Sequence, residues 1–259
     1  MSKRILRNFF TYPSTRGMDL DDPKLTGKRR EILREKKFLN RIYQDWYNAI
    51  MQNVPPSQGR ILELGSGAGF LKDLYPDIIQ SEIFWLPNIH VMLDGCYLPF
   101  ANCSLRAIVM SDVLHHIPRP RQFFSEACRC LQIGGVIVMI EPWFTPWSNW
   151  VYHNLHHEPF NPNAAKWEFP STGPLSSANG ALPWIIFERD RDIFSREFPQ
   201  LSIQCKQTMM PIRYLISGGI SMRGLAPGWT YDFWKTCEGL LTPWMEKLGM
   251  FALIVLKRQ

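Results

Sequence analysis

Residues Ile61 to Gly69 read ILELGSGAG, an apolar strand running directly into Gly65, Gly67 and Gly69. A strand that ends in alternating glycines lets the backbone pass close to a ligand, because no Cβ stands in the way. Phe70 to Leu74 then suit the first turns of a helix, whose N-terminal N–H groups would face that ligand. The spacing is not the G-x-G-x-x-G of dinucleotide-binding proteins. Taken alone, the segment also suits a plain tight turn.

Four further segments follow in a fixed order. They are DGCYLPF (Asp94 to Phe100), AIVMSDVLHHIP (Ala107 to Pro118), FFSEACRCLQIGG (Phe123 to Gly135) and VIVMIEPW (Val136 to Trp143). Together with the glycine turn they resemble the class I S-adenosylmethionine-dependent methyltransferases, closest to the broad small-molecule, type 11-like group. The resemblance covers about residues 58 to 142, a third of the chain. It implies a Rossmann-like α/β fold with a seven-stranded, mostly parallel sheet and S-adenosyl-L-methionine as cofactor. Arg106 stands where an aspartate usually opens the fourth strand, and Gln132-Ile133 replaces the usual Lys-Pro before Gly134-Gly135.

Periodicity organises the chain around that pattern. Residues 1–26 read as irregular, punctuated by Pro13, Gly17 and Pro23. From Lys28 to Val54 apolar residues recur at helical spacing, with a break expected near Lys36. Residues 1–55 are therefore expected as an N-terminal helical segment and 56–259 as the methyltransferase domain. Strands are expected near Ile61–Leu64, Ile78–Ile83, His90–Leu93, Ala107–Ser111, Val136–Glu141, Leu201–Met209 and Met250–Leu256. Helices are expected over Arg121–Leu131, with Gly134-Gly135 as its C-cap, over Ser148–His157 and over Trp184–Phe198. Residues 143–183 and 212–249 lack sheet periodicity and read as insertions that cap the cofactor site.

The resemblance also implies roles for single residues. Gly65, Ser66, Gly67 and Gly69 would wrap the cofactor's amino-acid tail and ribose. Glu63 would sense its amino group, and Ser111 and Asp112 would meet the amino-acid part through their backbone. Asp94 would accept from the adenine amino group, with Cys96, Tyr97 and Leu98 flanking the base. An acid at the end of the second strand would bind the ribose hydroxyls; Glu82 fits that place, with Asp77 as the competing acid. His115 and His116 are the candidates for a general base, against a structural or cofactor-contacting role. His153, His156 and His157 lack a firm fourth ligand, so no metal is expected, and they read instead as an exposed or acceptor-facing cluster.

Composition sets the outer limits. The six cysteines form no metal pattern, since Cys128 and Cys130 are C-x-C. Unpaired thiols in an α/β pattern suggest a reducing, cytoplasmic setting, and no run of about 18 apolar residues suggests a spanning helix. A net charge of +6 could favour nucleic acid, but KRR (Lys28 to Arg30) and REKK (Arg34 to Lys37) read as a solvated helix face. A base-methylating Pro-Pro motif is also absent after the fourth strand, where the chain reads Ser111-Asp112-Val113-Leu114. The expected acceptor is a small molecule rather than nucleic acid. Ten tryptophans point to an apolar or aromatic pocket for it. An RNA methyltransferase and a non-catalytic cofactor-binding scaffold subunit are the alternatives.

Overall fold

The computed structural model describes residues 12, 21–87, 89–156, 158–171, 173 and 175–259. Pro13 and Gly17 of the irregular N-terminal segment and His157 of the histidine group lie outside the described residues. Pro23 does not punctuate a loop. It opens helix α1 (Pro23–Glu35), where its missing N–H is no loss, and Asp22 caps the helix by accepting the Lys24 N–H at 2.8 Å. The break expected near Lys36 is present. Lys36 leaves helical geometry, and its ammonium donates to the Gly219 and Met222 carbonyls at 2.5 and 2.6 Å. Burial lowers the Lys36 amine to about 8. Helix α2 (Lys37–Gln52) then buries Phe38, Leu39, Ile42, Tyr43, Trp46, Tyr47 and Ile50, the single stripe that its 3.6-residue period predicts.

The sheet is built from β1 (Arg60–Glu63), β2 (Ile78–Glu82), β3 (Val91–Met92), β4 (Leu105–Ser111), β5 (Leu131–Pro142), β6 (Leu201–Met209) and β7 (Phe251–Arg258). Its order is β3-β2-β1-β4-β5-β7-β6. The pairs among the first five strands are parallel, while β7 runs antiparallel to both β5 and β6. This is the Rossmann-like, mostly parallel sheet expected. β4 and β5 are near-continuous apolar runs because both their faces are covered. The carboxyl ends of β1, β2, β4 and β5 present Glu63, Glu82, Ser111 and Glu141 on one edge.

Short helix α3 (Leu71–Leu74) follows the glycine turn, and α4 (Pro120–Cys130) runs between β4 and β5. Gly134-Gly135 is not the C-cap of α4. That helix ends at Cys130, and β5 starts at Leu131. Leu105 pairs with Leu131 but Ala107 with Val136, so the two glycines absorb a bulge. Gly134 takes a φ of +80°, and a Cβ on Gly135 would stand 2.9 Å from the Gln132 carbonyl oxygen.

The departures at Arg106 and Gln132 share one task. Arg106 donates to the Ser57 carbonyl at 2.7 Å, and Gln132 donates to the Ser57 hydroxyl and the Gln58 carbonyl at 2.9 and 3.1 Å. Both tie the approach to β1 to the beginnings of β4 and β5.

The first insertion contains α5 (Pro146–Leu155), which starts earlier than expected because Thr145 and Ser148 cap each other reciprocally. The helix expected over Trp184–Phe198 divides into α6 (Leu182–Trp184), a π-helical turn (Ile185–Arg189) and α7 (Arg191–Glu197). The second insertion holds α8 (Arg213–Ser217), α9 (Tyr231–Leu240) and α10 (Met245–Leu248). It is latched to α2 by Arg213, which pairs with Glu238 and reaches Asp45 at 3.1 Å and the Tyr231 hydroxyl at 2.6 Å. No helix among the described residues is long and apolar enough to cross a membrane.

Candidate active site

A cavity opens above the carboxyl ends of β1, β2 and β4. Glu63, Gly65, Ser66, Gly67 and Gly69 form its floor. Gly65 and Gly67 take φ of +66° and +48°, the left-handed region that glycine enters without strain. A Cβ on Gly65 would stand 2.7 Å from Val113, and one on Gly69 would collide with the Tyr47 hydroxyl. The turn is therefore closed to side chains from below, and it bares its backbone to the cavity.

Two carboxylates flank the turn. Glu82 Oε1 accepts the Gly67 N–H at 2.9 Å and Oε2 accepts the Ile83 N–H at 2.8 Å. Burial nevertheless raises its pKa. Glu63 is buried with one side-chain amide bond, from Gln80 at 3.1 Å. Burial raises its pKa too, and the nearby Glu82 charge adds to the rise. Both acids thus carry acceptor capacity, on the cavity wall, that the protein itself under-compensates. Asp77 is exposed at the opposite end of β2, outside the cavity lining.

Asp94 lines the cavity after β3, with Oδ1 accepting the Cys96 N–H at 2.8 Å. Cys96 corrects the sequence reading. Its side chain is fully buried, its thiol lies 3.6 Å from the Arg119 carbonyl, and it does not line the cavity. Tyr97 and Leu98 do not line it either; Gly95 does. The DGC turn therefore presents backbone at that point, and Cys96 acts by aiming Asp94.

Ser111 and Asp112 end β4 at the cavity wall. Asp112 holds a φ of +64°, unusual for a non-glycine residue and worth about 1–3 kcal/mol of strain. Its N–H is fixed to the Ile140 carbonyl at 2.8 Å. Enclosure raises its carboxyl to about 7, opposed by His115 and reinforced by Glu158 and Glu141.

The two histidines separate. His116 lines the cavity, with Nδ1 3.1 Å from the Ser177 carbonyl oxygen; burial lowers it to about 4. His115 is buried outside the lining. Its Nδ1 meets Glu141 Oε2 at 2.7 Å. Glu141 Oε1 in turn accepts the Val113 and Leu114 N–H groups at 2.8 and 2.7 Å. Burial opposes protonation of His115, but its carboxylate neighbours prevail and its pKa is raised well above the usual value. His115 cannot reach a substrate from there, so the expectation that either histidine is a general base narrows to His116.

His156 of the histidine group does line the cavity. Several other wall residues were not foreseen: Arg29, Tyr43 and Tyr47 enter from α1 and α2, Glu158 from the first insertion, and Tyr214 and Ser221 from the second. Arg29 belongs to the KRR run read as solvated. Both insertions do contribute wall, but none of the ten tryptophans does. Trp147 instead stacks on Trp150 and donates to the Pro211 carbonyl at 2.8 Å, and Trp167 donates to Asp190 at 2.8 Å. Trp143, Trp147, Trp167 and Trp184 pack the first insertion onto the core, while Trp85, Trp229 and Trp244 are exposed, which leaves the aromatic lining to tyrosines.

Residues 79–139 match the family described as a methyltransferase domain. An uncharacterized methyltransferase of Mycobacterium tuberculosis is 28% identical, over 33% of this chain and 40% of the relative. One from Mycobacterium leprae is also 28% identical, over 33% of this chain and 38% of the relative. The chain thus spans about two fifths of the length of the curated relatives it matches. Among solved structures, a geranyl diphosphate C-methyltransferase from Streptomyces coelicolor A3(2) superposes with a TM-score of 0.51. It is 11% identical, covering 85% of this chain and 78% of that one, which is a likeness of fold.

Proposed function

We propose that this chain is a class I S-adenosylmethionine-dependent methyltransferase that binds S-adenosyl-L-methionine in the cavity and methylates a small-molecule acceptor beneath the two insertions, a reading supported by the match of residues 79–139 to a methyltransferase domain and by the likeness of fold. The observation that carries the reading is the pairing of a bare glycine turn with the under-compensated carboxylates of Glu63 and Glu82 in one cavity. A sulfonium cofactor supplies a methyl group activated for displacement. It also brings an ammonium and a ribose diol, the donors these acids lack.

Glu63 sits by the turn to meet the ammonium, with Gly65, Ser66, Gly67 and Gly69 offering backbone along the amino-acid tail. Glu82 has lone pairs left for the diol after binding two N–H groups. Asp94 is aimed to accept from an adenine amino group, and the Ser111–Asp112 backbone closes the opposite side. Arg29, Tyr43 and Tyr47 cover the cavity from the N-terminal helices and exclude water, while Glu158, His116 and Tyr214 face the remaining space for the acceptor.

Calorimetric titration with S-adenosylhomocysteine tests the cofactor half. The wild-type chain is expected to bind, and Gly67→Val to lose binding while remaining folded, at an unfolding temperature lowered by the strain of a β-branched residue at φ of +48°. Unchanged affinity in the variant would refute the assignment of the turn. Screening labelled methyl donor against small-molecule and RNA fractions tests the acceptor half; incorporation only into nuclease-sensitive material would replace the small molecule by RNA.

A further inference from the structure

The LHH turn and the first insertion meet in a cluster that cofactor binding leaves unused. His116 Nδ1 lies 3.1 Å from the Ser177 carbonyl oxygen. A carbonyl cannot donate, so Nδ1 carries the hydrogen, and the neutral ring has its lone pair on Nε2. His115 Nδ1 lies 2.7 Å from Glu141 Oε2, whose carboxylate already accepts two backbone N–H groups on its other oxygen. Glu141 is therefore an acceptor, and His115 Nδ1 also carries hydrogen. Both rings are anchored through Nδ1, and both turn Nε2 toward Glu158: 3.5 Å from His115 to Oε2 and 4.0 Å from His116 to Oε1. The ligand atoms of these three residues lie within 4.8 Å of one another.

We propose that His115 Nε2, His116 Nε2 and the Glu158 carboxylate hold a divalent transition-metal ion of the zinc type, with an open position that takes an oxygen atom of the acceptor. Two imidazoles and one carboxylate make a ligand set of the catalytic kind, which leaves the fourth position to water or substrate. Tetrahedral bonds of about 2.0–2.1 Å put ligand atoms roughly 3.4 Å apart, so the 3.5 and 4.0 Å spacings to Glu158 contract by roughly 0.1 and 0.6 Å, and no spacing in the set, all within 4.8 Å, by more than about 1.4 Å. The supporting shell is already in place. Metal-bound histidines donate their second N–H to a carboxylate or a backbone carbonyl, and Glu141 and the Ser177 carbonyl are one of each. Without metal, the same atoms make the His115–Glu158 ion pair.

His116 and Glu158 line the cavity that holds the glycine turn, so the open position faces the acceptor's space. An acceptor hydroxyl or enol bound there has its pKa lowered as bound water does. The O–H bond breaks, the proton passes to solvent, and the electron pair stays on the oxygen held by the metal. The choice of an oxygen acceptor rests on the methyltransferase reading; the metal site does not.

The full-length chain, stripped with chelator and titrated with Co2+, tests this. One equivalent is expected to give the intense visible absorption of a tetrahedral site, and Zn2+ to displace it. Glu158→Gln and His116→Asn are expected to abolish the band while still binding S-adenosylhomocysteine, which shows that they fold. No band in wild-type chain that binds S-adenosylhomocysteine, or an unchanged band in both variants, overturns the site. Acetohydroxamate, an oxygen ligand, is expected to shift the band, and an unshifted band removes the open position. A normal Co2+ band in chain that fails to bind S-adenosylhomocysteine would instead sink the cofactor reading and leave the metal site standing.

Discussion

Glu82→Ala is the substitution that most directly tests the cofactor geometry. A carboxylate has about four acceptor sites, and Gly67 and Ile83 occupy two of them. The two that remain match a ribose diol. Hydrogen bonds to a charged group are worth about 1.5–3 kcal/mol each, so the gross loss is about 3–6 kcal/mol. Binding also strips water from those two acceptor sites, a cost that alanine does not bear, which offsets part of that loss. The net expectation is about 2–4 kcal/mol, a roughly 30- to 1000-fold rise in Kd for S-adenosylhomocysteine. Isothermal titration calorimetry measures it, with Asp77→Ala as the internal control. Asp77 is exposed at the other end of β2, so its removal should leave Kd within about twofold. If Asp77→Ala cost more than Glu82→Ala, or if Glu82→Ala left Kd unchanged in a folded chain, the placement of the diol on Glu82 would be wrong.

Two predictions concern the latch between α2 and the second insertion. Arg213→Met leaves Glu238 buried without its cation, and breaking a buried pair costs about 3–5 kcal/mol; urea unfolding should show a loss of that order, partly restored in the double variant with Glu238→Gln. At Asp45, burial is outweighed by hydrogen bonds from Lys235, Tyr231 and Arg213, so its folded pKa is lowered. That stability is fully present above the unfolded value of about 3.9 and is lost as pH falls through the folded value. Wild-type chain should therefore lose stability more steeply below about pH 4 than Asp45→Asn, and parallel acid profiles would contradict it.

What could be read from the residues alone was local chemistry. The glycine turn, the acids after β2 and β3, and the strand ends at Glu63 and Ser111 each carry their meaning within a few residues. Their placement in the cavity follows from the strands' shared direction. The rest depends on distant packing. Glu158 and Tyr214 sit in segments without periodicity, and Arg29 sits in a basic run that resembles any solvated face. Only the docking of α1, α2 and the insertions brings them to the wall. Cys96 failed for a finer reason: one residue's shift around a tight turn decides which side chain faces in, and Gly95 holds that place. A signal for Glu141 was available. It is the one acid closing the apolar run VIVMIEPW, and a charge at the end of a strand buried on both faces needs a partner.

β7 is the final element in chain order, yet it lies inside the sheet, between β5 and β6. Val136 pairs with Lys257 and Leu201 with Arg258. During synthesis the first five strands can associate as they emerge, but β6 has no neighbour to pair with until β7 has left the ribosome. Until then the β5 edge stays open, a template for any passing strand. The second insertion is anchored at both ends by β6 and β7, so its part of the cavity wall assembles in the same late step. Cofactor binding should accordingly appear only after that closure, making it a reporter of the joining of β7 rather than of collapse.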